Sequence, residues 1–307
     1  MNQTETFRDW LFRYRYVYRS RSTDKSKQRF LKALIADIIP FRKDLQVIEY
    51  DHTKKNASRN LYVGDLTKAK RIICTYYDTP PQHFGDYHFF DRQEQGRKTN
   101  QFILTASAVM ILFGLLGTWL YIHFASGRFP LLSWQTALFA LGVGIYFLLL
   151  NRISRGAGFE QNLTRNTSSI LALLSLISQN SQTATAFAFL DEGSFGERGL
   201  EVLRDSVGPN AKIYYLDSIG ADAPIRAIGK QFNEGQLQQL AIEHNSEAMG
   251  SINYLFCAEK QQDQNASGKP RGSLLHSETL PDSMCPGSAV RMDPAEQFRH
   301  EIGRAHV

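Results

Sequence analysis

Acidic side chains stand at the ends of three apolar runs that this sequence predicts to be buried strands. Asp78, the pair Asp191 and Glu192, and Asp217 each follow such a run directly. Because the carboxyl ends of neighbouring parallel strands meet at one edge of an open α/β sheet, this edge is the expected place for a site. Carboxylates gathered there can hold a divalent cation, although they more often cap helix N-termini or pair with basic side chains.

The elements that would position these carboxylates alternate along the chain. Strands are predicted at residues 45–50, 60–63, 71–77, 184–190 and 212–216, and helices at residues 170–177 and 198–205. The order strand, turn, helix, strand predicts a doubly wound, mostly parallel α/β sheet. The fold class is therefore α/β, interrupted by the apolar segment described below.

Residues 1–40 predict two amphipathic helices ahead of the first strand. The first has a stripe of large apolar side chains at helical spacing and arginines on its other side: Phe7, Trp10, Leu11, Tyr14, Val17 and Tyr18 against Arg8, Arg13, Arg15 and Arg19. This stripe can lie in the inner leaflet or dock on the protein's own sheet, and both interpretations stay open. A second helix is predicted over residues 25–38, ending before Pro40.

Residues 102–124 and 130–150 carry no charged side chain and are joined by a short turn. Segments of this length cross the roughly 30 Å hydrocarbon core, so they predict a transmembrane hairpin that leaves both flanking segments on one side. The alternative is a buried hairpin in a soluble core. Basic residues favour a cytoplasmic location for both soluble segments and both termini, at a cell membrane crossed twice: Arg92, Arg97, Lys98, Arg152 and Arg155 flank the spans, and only Arg128 lies in the turn.

Composition limits the classes of partner. The net charge is +5 and the isoelectric point is about 9.0, which suits an anionic lipid bilayer, and no nucleic-acid recognition motif is present. Three cysteines without CxxC spacing indicate neither a disulfide framework nor a zinc knuckle. We expect residues 1–98 and 153–300 to form one domain around the hairpin of residues 99–152. Residues 301–307 are similar to a translated sequencing adapter, so we expect the natural chain to continue differently.

Five segments carry a resemblance to a known family. They are RNLYVGDLTKAKRIICTYYDTP (59–80), NTSS (166–169), FLDEGSFGERG (189–199), LDSIG (216–220) and HSETLPD (276–282). In this order and spacing they resemble the di-zinc aminopeptidases, the family that includes aminopeptidase Y and the bacterial leucyl aminopeptidases. The resemblance implies a zinc-aminopeptidase-like sheet, with two zinc ions and a glutamate base at its carboxyl edge.

The resemblance also implies that most of the metal chemistry is lost. The first histidine ligand falls on Tyr76, the bridging aspartate falls on Arg165, and the base and its neighbouring ligand fall on Gly193 and Ser194. A guanidinium at the bridging position repels a metal ion at short range. We therefore expect no catalytic residue and no cofactor, and zinc only if the site is active.

The family ligands that remain are Asp217 and His276, and Asp78 remains as the residue that would orient the lost histidine. With a short shift of alignment, Asp191 or Glu192 could join them around one divalent ion. The sequence thus favours a non-catalytic, membrane-anchored homologue that binds a peptide or a membrane-protein partner at the inner membrane face. An active metal-dependent hydrolase with a rearranged site, and a structural membrane subunit acting through its hairpin, remain as alternatives.

Overall fold

The computed structural model of the chain describes residues 3–52, 57–85, 92–125, 134–154, 156, 163–179, 184–194, 196–246, 251–257, 259–260 and 274–275. These residues form two compact units. The first unit holds the residues up to Pro80 and those from Glu160 onward, and the second holds Pro81–Gly85 and Asp91–Phe159. His276 and residues 301–307 lie outside the described residues.

The first unit is built on an eight-stranded sheet. Its strands are β1 Leu45–Tyr50, β2 Ser58–Val63, β3 Arg71–Tyr76, β4 Thr185–Leu190, β5 Lys212–Asp217, β6 Ile225–Ile228, β7 Glu243–Asn245 and β8 Ile252–Cys257. They lie in the order β1-β2-β4-β3-β5-β8-β6-β7. A separate short pair joins β9 Glu259–Lys260 to β10 Leu274–Leu275.

The sheet is mixed, with more parallel than antiparallel strand pairs. The central strands β4, β3, β5 and β8 run parallel to their neighbours in that series. The outer pairs β1–β2, β2–β4 and β8–β6 are antiparallel. The α/β class is confirmed, and four of the seven strand pairs of this sheet are parallel, since β6 and β7 at one edge also pair in parallel. Of the antiparallel pairs, β1–β2 is a hairpin with a short connection.

Helices are α1 Gln3–Phe12, α2 Asp24–Ile38, α3 Arg92–Leu120, α4 Trp134–Ser154, α5 Ser168–Gln179, α6 Arg198–Ser206 and α7 Glu234–Gln239. Three π-helical turns adjoin them: Arg13–Val17 after α1, Tyr121–Ala125 after α3, and Leu163–Thr167 before α5. Alternate side chains of the central strands enter two cores, one shared with α1, α2 and α5 and the other with α6. The sheet is thus covered on both faces.

The start of α2 is fixed by a reciprocal cap. Thr23 Oγ1 accepts from the Ser26 backbone N–H at 3.2 Å, and Ser26 Oγ accepts from the Thr23 backbone N–H at 3.0 Å. Counting from that start, Lys27 falls on the same stripe as Leu31 and Leu34, which are buried against the sheet. The cap therefore directs one lysine toward the protein interior.

The second unit contains two long apolar helices, α3 and α4, that are long and apolar enough to cross a membrane. Their qualifying segments, Gln95–His123 and Thr136–Ser154, are not buried within the described chain. Tyr146 Oη donates to the Met110 carbonyl at 3.0 Å, which joins the two helices. The predicted span 102–124 falls on α3 and the π-helical turn that follows it, and residues 134–150 of the second span fall on α4, while residues 130–133 lie outside the described residues. The helix α3 begins at Arg92 because polar helical residues precede the apolar run.

Candidate functional site

The ends of β3, β4 and β5 place three acidic residues at one edge of the sheet. The strands are parallel, and their register pairs Tyr76 with Leu190. Asp78, Asp191 and Asp217 follow or end these strands and are 5%, 1% and 0% exposed. Buried carboxylates require hydrogen bonds or opposite charges, so their partners decide what this edge can do.

Asp78 is held by the turn that follows β4. Its carboxylate accepts from the backbone N–H of Gly193 at 2.9 Å, from the backbone N–H of Ser194 at 3.2 Å, and from Ser194 Oγ. Burial raises the pKa of Asp78, and the negative charge of Asp191 adds to this rise. The positive charge of Lys27 and the hydrogen bonds from these donors lower the pKa and so oppose the rise. The donors occupy the lone pairs that a metal ion or a ligand histidine would need.

Asp191 forms a partly buried ion pair with a residue far away in the sequence. Lys27 Nζ lies 2.5 Å from Asp191 Oδ1, and the backbone N–H of Glu192 donates to the same oxygen at 2.9 Å. Burial alone would lower the pKa of Lys27, but the charges of Asp78 and Asp191 outweigh it and raise that pKa. Lys27 is thus a protonated internal cation beside two carboxylates at neutral pH.

Glu192 lies in the same turn with a left-handed backbone, φ 54°. Its carboxylate accepts a hydrogen bond from Ser58 Oγ on β2. Asp217 accepts from Ser218 Oγ at 2.8 Å, and the Ser218 backbone N–H donates to the Arg165 carbonyl at 2.9 Å. The carboxylates expected around one divalent ion thus have partners within the protein: hydroxyl and amide groups for Asp78, Glu192 and Asp217, and the Lys27 ammonium together with an amide for Asp191.

The Tyr76 side chain fills the space between the β4 turn and the strands. Its ring stacks on Tyr215 with centroids 6.3 Å apart, and its hydroxyl accepts from Arg165 Nε at 3.1 Å. A Cβ placed on Gly193 would lie 2.2 Å from Tyr76 Cβ and 2.8 Å from its Cγ. The turn packs directly against Tyr76, so no side chain fits at position 193 without a backbone shift.

Arg21 is a second internal cation that the sequence reasoning missed. It is fully buried, donates to Asn166 Oδ1 at 2.7 Å and Thr167 Oγ1 at 2.8 Å, and lies 4.8 Å from the Phe30 ring centroid. Asn166 Nδ2 in turn donates to the Asp78 carbonyl at 2.6 Å. Burial lowers the pKa of Arg21 to about 10, so the guanidinium stays charged at neutral pH.

Lys27 was missed in the same way, although the sequence holds a signal for it. A charged side chain on an otherwise apolar helical stripe must find a counter-ion, and Lys27 stands on the stripe of Leu31 and Leu34. Its partner could not be named, because Asp191 lies 164 residues further along the chain.

The zinc pair implied by the resemblance does not fit these residues. Among the described residues, no three His, Cys, Asp or Glu side chains are grouped so that they could hold a metal ion. Tyr76 and Arg165, at two positions that the resemblance assigns to metal ligands, form a hydrogen bond with each other, and Lys27 brings its positive charge to Asp191. The edge is arranged as a packed polar core, with its charges compensated inside the protein.

No protein-family model matches this sequence, and no curated protein matches it. The chain is similar to several solved structures. A leucine aminopeptidase precursor from Bacteroides thetaiotaomicron is 12% identical over 81% of this chain and 79% of its own, with a TM-score of 0.46. A glutaminyl cyclase of the same organism, bound to N-acetylhistamine, is 12% identical over 84% and 85%, with a TM-score of 0.48. A Zn-dependent exopeptidase from Parabacteroides distasonis is 12% identical over 85% and 86%, with a TM-score of 0.47. At these scores the likeness carries neither a family nor an activity over to the chain.

Proposed function

We propose that this chain is a membrane-anchored, non-catalytic homologue of the di-zinc aminopeptidases that binds a peptide or protein partner at the inner membrane face. The carrying observation is the packing of Gly193 against Tyr76, which removes the room for a catalytic base. A general base must lie within hydrogen-bond reach of the water that it activates, and at the position where the resemblance implies a glutamate base, the turn presents only the backbone of Gly193.

The charges at the edge support the same proposal. A metal ion at a carboxylate cluster supplies the positive charge that keeps buried carboxylates ionised. Here Lys27 forms an ion pair with Asp191, and the backbone N–H groups of Gly193 and Ser194 donate hydrogen bonds to Asp78. The scaffold can therefore keep its strand ends together without metal, which suits a binding role.

Metal content and hydrolysis together test the proposal. The full chain, purified in detergent and dialysed against zinc, is measured for bound zinc by mass spectrometry and for hydrolysis of leucine p-nitroanilide. We expect far less than one zinc per chain and no hydrolysis above the detergent blank. Stoichiometric zinc together with hydrolysis, both lost in Asp217→Asn, would overturn the proposal and favour the rearranged metal-dependent hydrolase.

The membrane anchor is part of this proposal and rests on α3 and α4. Their outward side chains are large and apolar, as at Leu112, Phe113 and Leu148, which are 65%, 65% and 70% exposed. Such a surface in water would cause aggregation, whereas in lipid it is solvated. We expect the chain to resist alkaline carbonate extraction, and a cysteine at Gly127 to react with an impermeant thiol reagent from outside intact cells. Extraction into the soluble fraction would contradict the anchor.

A further inference from the structure

The N-terminal helix and its π-helical turn have two different faces. One face buries Phe7, Trp10 and Tyr14 in the core shared with α2 and α5. The opposite face exposes Phe12 and Tyr16, which are 59% and 56% exposed. Docking of the first face is thus shown, and the second face is left without a role in the fold.

The exposed rings lie next to arginine side chains. The Phe12 and Tyr16 ring centroids are 5.2 Å apart, and the Arg15 guanidinium lies 5.2 Å from the Tyr16 ring centroid. Arg8 of α1 is exposed, and so is Arg19, which follows the π-helical turn. We name these five residues, Arg8, Phe12, Arg15, Tyr16 and Arg19, the basic aromatic face.

Acidic groups beside this face are few or are already compensated. Asp9 lies against Arg13, with 2.7 Å between Arg13 Nη2 and Asp9 Oδ2, and Asp37 of α2 accepts from the same arginine. Glu5 is exposed one turn earlier in α1. The exposed side of α2 adds three cations, Lys25, Arg29 and Lys32. The surface of α1 and α2 is consequently positive around a pair of exposed rings.

We propose that the basic aromatic face binds the anionic headgroup region of the membrane that α3 and α4 cross. This inference rests on the proposed membrane anchoring. Tyrosine and phenylalanine rings suit the boundary between headgroups and acyl chains, and arginines beside them attract anionic lipids while their stems stay apolar. The hairpin holds the domain beside the bilayer at all times, so the face needs only weak affinity to be occupied.

The chemistry of the basic aromatic face favours lipid over protein as its partner. The face joins arginines to exposed rings on α1, its π-helical turn and the residues directly after it, and arginines beside exposed rings are the pattern of an interfacial amphipathic helix. The negative potential of the cytoplasmic leaflet also attracts a polybasic segment near the membrane, and salt weakens this attraction. Binding should therefore depend on anionic lipid and fall as ionic strength rises.

The test uses the full chain in lipid nanodiscs with a spin label at Ser20→Cys, an exposed position that leaves the five residues intact. Cys74 and Cys257 are buried, and Cys285 is replaced by serine. Accessibility of the label to oxygen and to a water-soluble nickel complex is compared between phosphatidylcholine discs and discs that also contain phosphatidylglycerol. We expect a several-fold rise in the oxygen-to-nickel ratio with the anionic lipid, reversed by high salt.

Matched variants assign the effect to the face. Replacing Arg8, Arg15 and Arg19 by glutamine should abolish the rise, whereas replacing the exposed Lys68, Lys212 and Lys230 by glutamine, which removes the same charge, should leave it unchanged. A label equally accessible to nickel in both discs would overturn the inference. Shielding that develops in phosphatidylcholine discs only after an acidic polypeptide is added would also overturn it, in favour of a protein ligand.

The outcome is separable from the proposed function. A chain that is extracted by carbonate fails the membrane anchor itself. A chain that stays in the disc with an aqueous label keeps its anchor and loses only the inference about the face. Near-ultraviolet circular dichroism of each variant shows whether the buried Trp10 and Tyr14 keep their packing.

Discussion

The substitution Gly193→Ala probes whether the β4 turn is closed onto Tyr76. Its Cβ would stand 2.2 Å from Tyr76 Cβ, 2.8 Å from Tyr76 Cγ and 3.2 Å from Tyr215 Oη. Carbon atoms in contact are about 3.5–4.0 Å apart, so the overlap with Tyr76 exceeds 1 Å. A rotamer change cannot relieve it, because the nearest atom is the tyrosine Cβ.

The turn must therefore move away from β3, and its hydrogen bonds move with it. The Gly193 and Ser194 backbone N–H groups would lose their short contacts to the buried Asp78 carboxylate. Overpacking costs about 1–3 kcal/mol, and a hydrogen bond to a charged buried group is worth about 1.5–3 kcal/mol. We expect Gly193→Ala to lower the free energy of unfolding by roughly 3–5 kcal/mol.

A matched control is available three residues further along. A Cβ on Gly196 meets its nearest atom, the Glu192 carbonyl oxygen, at 3.7 Å, which is ordinary contact. Urea unfolding of the full chain in detergent, followed by Trp10 fluorescence after Trp119→Phe and Trp134→Phe, compares Gly193→Ala with Gly196→Ala. Equal stability of the two variants would refute the claim that the turn leaves no room for a base at position 193.

Two further substitutions test the internal cation and the hairpin. Lys27→Met should cost about 3–5 kcal/mol near neutral pH, because it leaves buried carboxylates uncompensated. The pKa of Asp78 in the folded chain is already above its usual range, and removing Lys27 raises it further. As pH falls through that raised pKa, the folded chain takes up more protons than the unfolded chain, so the loss of stability caused by Lys27→Met should shrink. Urea unfolding at several pH values checks this. Gly114→Val displaces the Tyr146 hydroxyl, which lies 2.4 Å from a Cβ at that position, whereas Gly117→Val meets nothing within 4 Å. Only the former should weaken α3–α4 pairing, by about 1 kcal/mol for the lost hydrogen bond, in a detergent unfolding titration; equal effects would contradict it.

Local patterns were sufficient for much of the fold. The run Leu45–Tyr50 coincides with β1, and α6 Arg198–Ser206 differs from its prediction by one residue. These segments have the periodicity of their own element. The strands β6, β7 and β8 were not predicted, because they are short and their identity as strands comes from pairing with one another and with β5.

The candidate site could also be predicted only in part. The rule for parallel strands placed Asp78, Asp191 and Asp217 at one edge without knowledge of the structure. Their partners depend on contacts between distant segments, such as Lys27 with Asp191 and Arg21 with Asn166. A sequence pattern reports the face of a helix, but it does not report which strand end that face meets.

The residues at the positions that the resemblance assigns to metal ligands make physical sense as a set. A tyrosine at position 76 occupies the volume beside the β4 turn, and a glycine at position 193 is the residue that this close approach permits. Asp78 and Asp191 are balanced by a cation of the protein itself, since Lys27 pairs with Asp191. Introducing the residue that the resemblance implies, as in Arg165→Asp, would add a carboxylate to an acidic, buried edge and remove the donor to Tyr76. Arg165→Asp should destabilise the protein without creating zinc affinity. Ligands bind a metal ion only where there is free volume for the ion and negative charge that no other cation balances.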